Sequence, residues 1–387
     1  MARILINNIA LRNNGDVALA RNLRLALLHR GHEVLLCGFP LHTADIPQLQ
    51  ICRDAIGYRL RPFRCPVLVD IAALLLLLFH PDYRRADALI GAPGGYLQSL
   101  YGIRWKLRLY RWAKHLGKKT AIYSQSVGPL DQADQGHLLA AEPYLDWLVV
   151  RDDASLRTAV QAGFRRDKVL LTDDAIFLSR PRSSPASPRS RLALFSVREW
   201  RHAGRDAQRF CALIHRLMDS AIAAGFEIQF VSTCQGIPGY TDDSKVAQWI
   251  VDRFPGDRRR LTICRERLSV EELERRIDHA GFIVGTRLHM CLLAMMAGIP
   301  AFNISYEAKG TECYRYMEIS EHSVDYNAEP EHAAARFRGF LDRLDPLRRH
   351  IGAQVAVRHR LANERLDRFL ADLGIPGTPG DFRQRPA

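Results

Sequence analysis

The sequence predicts an α/β protein made of two parallel-sheet domains of the same plan, and three observations carry that expectation. Short apolar runs alternate with amphipathic stretches through the first 180 residues, a polar, proline-rich stretch interrupts them, and the same alternation then starts again. Strands that alternate with helices return through crossovers, so their sheets are parallel.

In the first half, strands are expected at 4–8, 34–38, 88–91, 120–123 and 147–150. A helix is expected over 17–30, where Leu19, Leu23, Ala26 and Leu27 share a face after the polar start Asn14-Gly15-Asp16 and before a Gly31 stop. Residues 179–191 are rich in Ser, Arg and Pro and cannot form the interior of an element, which places a linker at 181–191 between a first domain, 1–180, and a second, 192–330. In the second half, strands are expected at 192–196, 227–233 and 282–285, and helices at 207–224, 243–254 and 270–280. Beyond Glu329 the chain is charged and helical with Arg and Leu interleaved as far as Leu373, then rich in Gly and Pro, which suggests a helical tail at 331–387 with a loose end.

Composition narrows the function classes. With 47% hydrophobic and 25% charged residues the chain is ordinary globular material. Its first residues enter a strand-like run directly, so no signal peptide is expected. The longest apolar run, 67–79, has 13 residues and contains Asp70, whereas a membrane helix needs roughly 20. That run is either a buried helix or an interfacial patch, the second suggested by Arg84 and Arg85 just after it. Eight cysteines without a C-x-x-C pair suggest reduced core thiols of a cytoplasmic protein. No H-E-x-x-H, EF-hand loop or D-x-D triplet is present, so no metal and no cofactor is expected. The net charge of +13 favours anionic partners. Arginines spread over the whole chain, without a stripe of interleaved aromatics, argue against nucleic acid.

The strongest chemical candidate is Val284-Gly285-Thr286-Arg287-Leu288-His289-Met290, where an apolar strand ends in a glycine turn and a helix begins. Free N–H groups and the positive dipole end make a helix's first turn an anion site, and Arg287 and His289 lie within it, with Thr286 placed to cap. Arg287 pairing with an acidic group, and His289 merely capping or filling space, is the alternative. Lys309, at the end of Ile304-Ser305-Tyr306-Glu307-Ala308-Lys309, would point into the same cleft or else be a solvated lysine. Arg198 in Phe195-Ser196-Val197-Arg198 ends another strand; a guanidinium grips a carboxylate in bidentate fashion, unless this one simply borders the linker.

In the first half, Asn14-Gly15-Asp16 and Gly91-Ala92-Pro93-Gly94-Gly95-Tyr96 follow strands as turns that leave room for a ligand. Neither is a G-x-G-x-x-G loop nor a P-loop, and Asp16 could be only a helix cap. Residues 124–129 also lie beyond a strand, and Arg151 could reach inward. In open parallel sheets ligands sit beyond the carboxyl ends of the strands, so two such domains facing each other would bind substrates in the cleft between them.

Together these stretches, from about Ile4 to Lys309, resemble the polysaccharide pyruvyl transferase family. The most specific pieces are Arg287 to His289 after the strand and glycine, Ser196 to Arg198, and Gly298-Ile299-Pro300 followed by Tyr306-x-x-Lys309. The resemblance implies a glycosyltransferase-B-like pair of Rossmann-like domains facing a cleft, with phosphoenolpyruvate as donor substrate. It implies that Arg198, Arg287, Leu288 and His289 hold the donor, His289 being the acid, that Asp16 and Arg151 lie in the cleft, and that Lys309 is the family's Tyr-x-x-Lys lysine. Where many members read Gly-Gly-Gly, this chain has Ala92-Pro93-Gly94-Gly95, which stiffens the loop and bears on acceptor choice.

The residues fit that chemistry on their own terms. Phosphoenolpyruvate carries a carboxylate and a phosphate, which two arginines and a helix N-terminus match, and its methylene carbon needs a general acid such as an imidazole. Asp16 is the expected base for a sugar hydroxyl. The basic charge and the 67–79 run suit a lipid-linked oligosaccharide acceptor and peripheral contact with the inner membrane surface. Two other readings share the residues: a glycosyltransferase using a nucleotide-sugar donor, and a non-catalytic protein binding anionic glycans.

Overall fold

Runs of residues buried on both faces form the strands, as parallel sheets covered by helices require. The computed structural model describes residues 1–9, 13–38, 51–53, 66–182, 190–200, 204, 206–237 and 241–378. They fall into two units: residues 1–11, 16–179 and 359–387 make the first, and residues 12–15 and 180–358 the second.

The first unit runs β1 (Arg3–Ile9), α1 (Asn14–Leu28), β2 (Glu33–Gly38), β3 (Ile51–Arg53), α2 (Pro66–Phe79), α3 (Pro81–Arg85), β4 (Ala88–Gly91), β5 (Gly94–Leu97), α4 (Arg104–His115), β6 (Lys119–Val127), α5 (Gln132–Ala141), β7 (Trp147–Val150), α6 (Asp153–Gln161) and β8 (Val169–Leu171). Its strands lie in the order β3-β2-β1-β4-β6-β7-β8 with β5 added beside β6, and every pairing is parallel. Leu5, Leu89, Ile122 and Leu148 of the strands pack with Leu76, Leu107, Tyr110 and Leu138 of the covering helices.

The second unit runs β9 (Leu192–Ser196), α7 (Ala207–Ala223), β10 (Glu227–Phe230), α8 (Asp243–Arg253), β11 (Leu261–Ile263), α9 (Val270–Asp278), β12 (Phe282–Gly285), α10 (Leu288–Met296), β13 (Ala301–Ser305), α11 (Ala308–Tyr316), β14 (Ser323–Asp325), α12 (Pro330–Leu341) and α13 (Leu344–Asp372). Its six strands are ordered β11-β10-β9-β12-β13-β14, all parallel. Counted from β9 this is the order 3-2-1-4-5-6, whose direction of winding reverses between β9 and β12. Phe282 and Phe302 of the central strands meet Phe337 and Phe340 of α12 edge to face, at centroid distances of 5.1–5.7 Å.

Several expected elements differ in extent or kind. Helix α1 starts at Asn14, three residues early, because Asn14, Gly15 and Asp16 form its first turn; it ends at Leu28, before a Gly31 with φ of +80°. Residues 124–127, expected beyond a strand, lie inside β6, and Gly94-Gly95-Tyr96, expected as a turn, begins β5. A polar run such as Ser124-Gln125-Ser126 hides its strand character because its polar atoms are satisfied internally: the Ser124 hydroxyl donates to the Asp173 carbonyl at 3.0 Å and the Gln125 amide to the Ala92 carbonyl at 2.9 Å.

The charged stretch after 330 is not a body apart. Residues as far as Arg358 cluster with the second unit, where Ile351 and Val355 are buried, and those from His359 cluster with the first, where Leu366, Phe369 and Leu370 are buried. Phe369 packs on Tyr123 at 5.2 Å. Of the 181–191 stretch, residues 183–189 lie outside the described residues, as do 379–387 of the expected loose end. Arg182 is anchored: its N–H donates to the Met296 carbonyl at 2.7 Å and its guanidinium meets Glu274 at 2.6 Å and Asp278 at 3.2 Å.

Candidate functional site

The reversal of strand order in the second sheet sets the carboxyl ends of β9 and β12 side by side, with Ser196 directly opposite Gly285 in register. Crevices of this kind are where open α/β sheets bind ligands. The chain leaves β9 through Val197, Arg198 and Trp200, and leaves β12 through Thr286 and Arg287 into α10. Neighbouring β13 ends in Ser305, followed by Tyr306, Glu307 and Lys309. The three motifs singled out in the second half thus converge on adjacent strand ends.

Arg287 is the N-cap of α10 and Thr286 is not; no side chain caps this helix. The Thr286 hydroxyl instead donates to the Ser196 carbonyl at 3.3 Å, and its N–H donates to the same atom at 2.9 Å, tying β12 to β9. The Arg287 carbonyl accepts from the N–H groups of Met290 and Cys291, so Leu288 and His289, at the first two helical positions, present N–H groups that have no intrahelical acceptor.

The Arg287 side chain is nearly buried and donates from Nε and Nη2 to Oδ2 and Oδ1 of Asp243 at 3.0 and 2.9 Å. Asp243, the first residue of α8, is 1% exposed. Burial pushes the Asp243 carboxyl above the usual carboxylate range, and the Arg287 guanidinium is the main influence pulling it back. The two parallel bonds require both oxygens to accept, so the pair is ionised and Arg287 is held firmly in its charged form. Asp242-Asp243 is a weaker piece of the family resemblance, and sequence reasoning assigned Asp243 no role: 44 positions separate it from Arg287, and no local pattern joins the two.

Arg198 lies over an aromatic wall. Its guanidinium carbon is 4.6 Å from the Trp200 ring centroid and 5.5 Å from that of Tyr306, and its Nη1 donates to the Tyr306 hydroxyl at 3.2 Å. Trp200 and Tyr306 themselves pack at 4.7 Å. Arg198 therefore faces the other site residues and does not simply border the linker. Lys309 pairs with Glu307 at 2.5 Å, and both line a shallow depression with Thr286, Leu288, Ser305 and Tyr306.

Two buried hydroxyls at these strand ends, Ser196 Oγ and Thr233 Oγ1, have no hydrogen-bond partner among the described residues, nor does Gln235 Oε1. Buried polar atoms are ordinarily satisfied, so three orphans at or just beyond the carboxyl ends of β9 and β10 mark a place where an incoming polar group would be welcome.

His289 is half-buried at the second position of α10. Residues 12–15 belong to the second unit, where the Asn14 N–H donates to the Thr233 carbonyl at 2.9 Å and its side chain to the Leu268 carbonyl at 3.1 Å. A Cβ added at Gly15 would stand 2.7 Å from the His289 Cβ and 2.8 Å from Nδ1, so glycine is the residue that lets this imidazole sit where it does.

In the first unit, Asp16 lies in the first turn of α1, where its charge suits the helix dipole. A Cβ on Gly94 would be 3.9 Å from Asp16 Oδ1, so Asp16, Gly94 and Gly95 share one strand-end neighbourhood. The φ of +148° at Gly94 is open to glycine and strained for any other residue. Arg151 is 5% exposed; its Nη1 meets Asp174 at 2.7 Å and its Nε donates to Ser126 Oγ at 2.8 Å. These bonds tie the segment after β7 to β6 and to the segment after β8, and give Arg151 a structural task.

Among the described residues, cysteines 37, 211, 234, 264, 291 and 313 are buried and in no disulfide. No helix among the described residues is long and apolar enough to cross a membrane.

Residues 13–308 match the family model described as polysaccharide pyruvyl transferase. The amylovoran biosynthesis protein AmsJ of Erwinia amylovora is 23% identical over 316 residues, spanning 76% of this chain and 75% of that protein. Among solved structures, HepE of Anabaena in complex with UDP-glucose superposes with a TM-score of 0.63 at 12% identity, covering 96% of this chain and 100% of that one. MnaA of S. aureus with UDP superposes with a TM-score of 0.61 at 10% identity, covering 100% and 99%. A UDP-N-acetylglucosamine 2-epimerase described as putative, from Listeria monocytogenes, gives 0.62 at 8% identity, covering 99% of each chain. At these identities the likeness is one of fold: two parallel-sheet α/β domains of the glycosyltransferase-B-like kind.

Proposed function

Because the chain belongs to the polysaccharide pyruvyl transferase family, we propose that it moves the pyruvyl unit of phosphoenolpyruvate onto two hydroxyls of a glycan sugar as a cyclic ketal, in the biosynthesis of an exopolysaccharide or other cell-surface glycan. The observation that carries this reading is the gathering of Arg198, Arg287 and His289 at the switch point of the second sheet beside the orphaned Ser196 and Thr233 hydroxyls.

In this reading the donor's anionic groups meet the N–H groups of Leu288 and His289, the Arg198 guanidinium and the Nη1 edge of Arg287, which is turned away from the two nitrogens engaged by Asp243. Asp243 fixes the plane of Arg287, so the cation is oriented before the donor arrives. Lys309, paired with Glu307, brings an oriented ammonium donor but no net charge to the neighbouring strand end.

The chemistry then asks one proton of His289. Protonation of the donor's methylene carbon makes it a methyl group and leaves an oxocarbenium-like centre at the adjacent carbon. A sugar hydroxyl attacks that centre and loses its proton to a base, for which Asp16 is the candidate. Breaking the bond to the phosphate oxygen releases inorganic phosphate, and a second hydroxyl of the same sugar closes the ketal and gives up its own proton. Two carbon–oxygen bonds form and one breaks, with no redox step and no metal called for. Arg151, already paired with Asp174, acts on this account only through the rigidity of the first unit.

The test is to incubate the protein with phosphoenolpyruvate and a glycan acceptor and follow phosphate release. Release that depends on the acceptor and is lost in His289→Ala supports the reading. Sugar transfer from a nucleotide donor by the same protein would replace it with the glycosyltransferase reading, and acceptor binding unchanged in His289→Ala, without turnover, with the glycan-binding one.

A further inference from the structure

Helix α2 is covered on one side only. Val69, Ala72, Ala73, Leu76 and Leu77 are buried against the first unit, while Val67, Leu68, Ile71, Leu75, Leu78 and Phe79 are exposed, from 39% at Leu78 to 74% at Phe79. Positions 67, 71, 75 and 78 recur at helical spacing, so these side chains form one continuous stripe with no polar residue in it. Soluble proteins rarely leave a contiguous apolar stripe of this kind open to water.

The only charge on α2 is Asp70, and it is cancelled internally by the Arg108 guanidinium, with a hydrogen bond from Trp112 Nε1 at 3.3 Å on its other oxygen. Those two residues belong to α4, Arg-Trp-Lys-Leu-Arg-Leu-Tyr-Arg-Trp-Ala-Lys-His, a helix with no acid; its Arg108 is paired with Asp70 and its Lys114 with Asp146, while Arg111 is exposed. Arg104 and Arg108 lie over the Trp105 ring at 5.2 and 5.9 Å, and Arg111 over Trp112 at 5.5 Å. Beyond Phe79 and His80, α3 opens with Pro81, Asp82 and the buried Tyr83 and ends in exposed Arg84 and Arg85, two cations against one acid. An open apolar stripe is thus bordered by arginines and tryptophans, the residues that sit at the level of lipid headgroups.

We propose that α2 is a bilayer-docking helix: it lies in the plane of an anionic membrane surface with its exposed stripe among the acyl chains, and the exposed cations Arg84, Arg85 and Arg111 meet the headgroup phosphates. Charge complementarity chooses this occupant over a second copy of the chain, whose equivalent face would bring the same cations together and repel. The helix has 14 residues and is too short to span, so it serves as a reversible anchor. Such an anchor suits an enzyme whose acceptor sugar is carried on a lipid, but it rests on residues of the first unit alone and stands whether or not pyruvyl transfer is the reaction.

The experiment is co-sedimentation of the full chain with sucrose-loaded vesicles of phosphatidylcholine alone or with a third phosphatidylglycerol, in the absence of phosphoenolpyruvate. Binding to the anionic vesicles, weakened by added salt, is expected. The variant Ile71→Ser with Leu75→Ser is expected to lower the partition coefficient by about tenfold or more, and Arg84→Ser with Arg85→Ser to bring binding close to that on neutral vesicles. Both changes fall on exposed positions, so thermal melting and turnover on a water-soluble acceptor are expected to stay at the parental level. Failure of the parent protein to bind anionic vesicles at low salt, or equal binding by the Ile71→Ser, Leu75→Ser variant, overturns the proposal. So does a parent that dimerises by light scattering and becomes monomeric in that variant, since a second copy would then cover the stripe.

Discussion

Asp243 grips Arg287 with both carboxylate oxygens, at 2.9 and 3.0 Å, inside the second unit. The pair joins the start of α8 to the N-cap of α10 and fixes the orientation of the guanidinium at the sheet's switch point. Asp243→Asn leaves a buried arginine without its counter-charge, a change that typically costs about 3–5 kcal/mol. Urea denaturation is expected to show a loss of that size, together with a raised KM for phosphoenolpyruvate. Arg287→Lys keeps the charge but loses the fork, and is expected to raise KM by about tenfold or more. Unchanged KM in both variants would separate the pair from donor binding.

Gly15 leaves room for the His289 ring. Gly15→Ala puts a methyl group 2.7 Å from the His289 Cβ, and the ring or the start of α1 must shift. Overpacking of this kind costs about 1–3 kcal/mol, and a displaced imidazole costs turnover, so kcat is expected to fall at least about tenfold. Combining Gly15→Ala with His289→Ala removes the contacts with the ring at 2.8 and 2.9 Å but keeps the one with Cβ at 2.7 Å, so the melting temperature should recover only in part and the activity not at all. Full kcat in Gly15→Ala would show that the imidazole's position is immaterial.

Arg151 and Asp174 form a buried ion pair at 2.7 Å in the first unit, 4% and 3% exposed. Arg151→Met is expected to destabilise the protein by about 3–5 kcal/mol, read by denaturant titration, while KM for phosphoenolpyruvate in the surviving folded fraction stays at the parental value. A selective rise in KM with normal stability would return Arg151 to the substrate.

Much of this arrangement was legible in the sequence. The strands at 88–91, 147–150, 192–196 and 282–285 are apolar runs bounded by turn residues, and the sheets place them as read. The motifs at Arg198, Arg287 and Lys309 fall at strand ends because glycine or polar residues stop each apolar run. Pairings between distant segments were hidden. Asp243 is one acid in a polar stretch until α8 brings it to Arg287, and Trp200 and Tyr306 become a wall for Arg198 only through the adjacency of β9, β12 and β13. Thr286 looks like a cap because threonine often is one, but the bond from its hydroxyl to the Ser196 carbonyl decides otherwise. The division of α13 between the two units has no local signature, since its apolar positions continue through His359 without a break.

Acid should weaken the first unit through His32. Its Nδ1 accepts from the Ala2 N–H at 3.3 Å, and its buried Nε2 has no partner among the described residues. Burial is the largest influence lowering its pKa from 6.5, followed by the positive N-terminus and Arg30. The folded state therefore favours the neutral ring, and the unfolded chain takes up the proton first. The contribution to stability is complete above 6.5 and is lost as pH falls through that value towards the lower folded pKa. Melting temperatures measured from about pH 7.5 to about pH 5.5 are expected to fall, and His32→Asn, which keeps an acceptor for Ala2, to flatten the slope. A parallel slope in the variant would remove His32 from the acid response.

The most direct test of the central claim is mass spectrometry of the glycan formed when the protein acts on its native acceptor with phosphoenolpyruvate labelled with carbon-13 in its three carbons. The expected product carries all three labelled carbons, with the mass of one pyruvate less one water and without phosphorus, and it is absent with His289→Ala. A product that gains an unlabelled sugar from a nucleotide donor, or labelled pyruvate appearing only free in solution, would contradict the assignment.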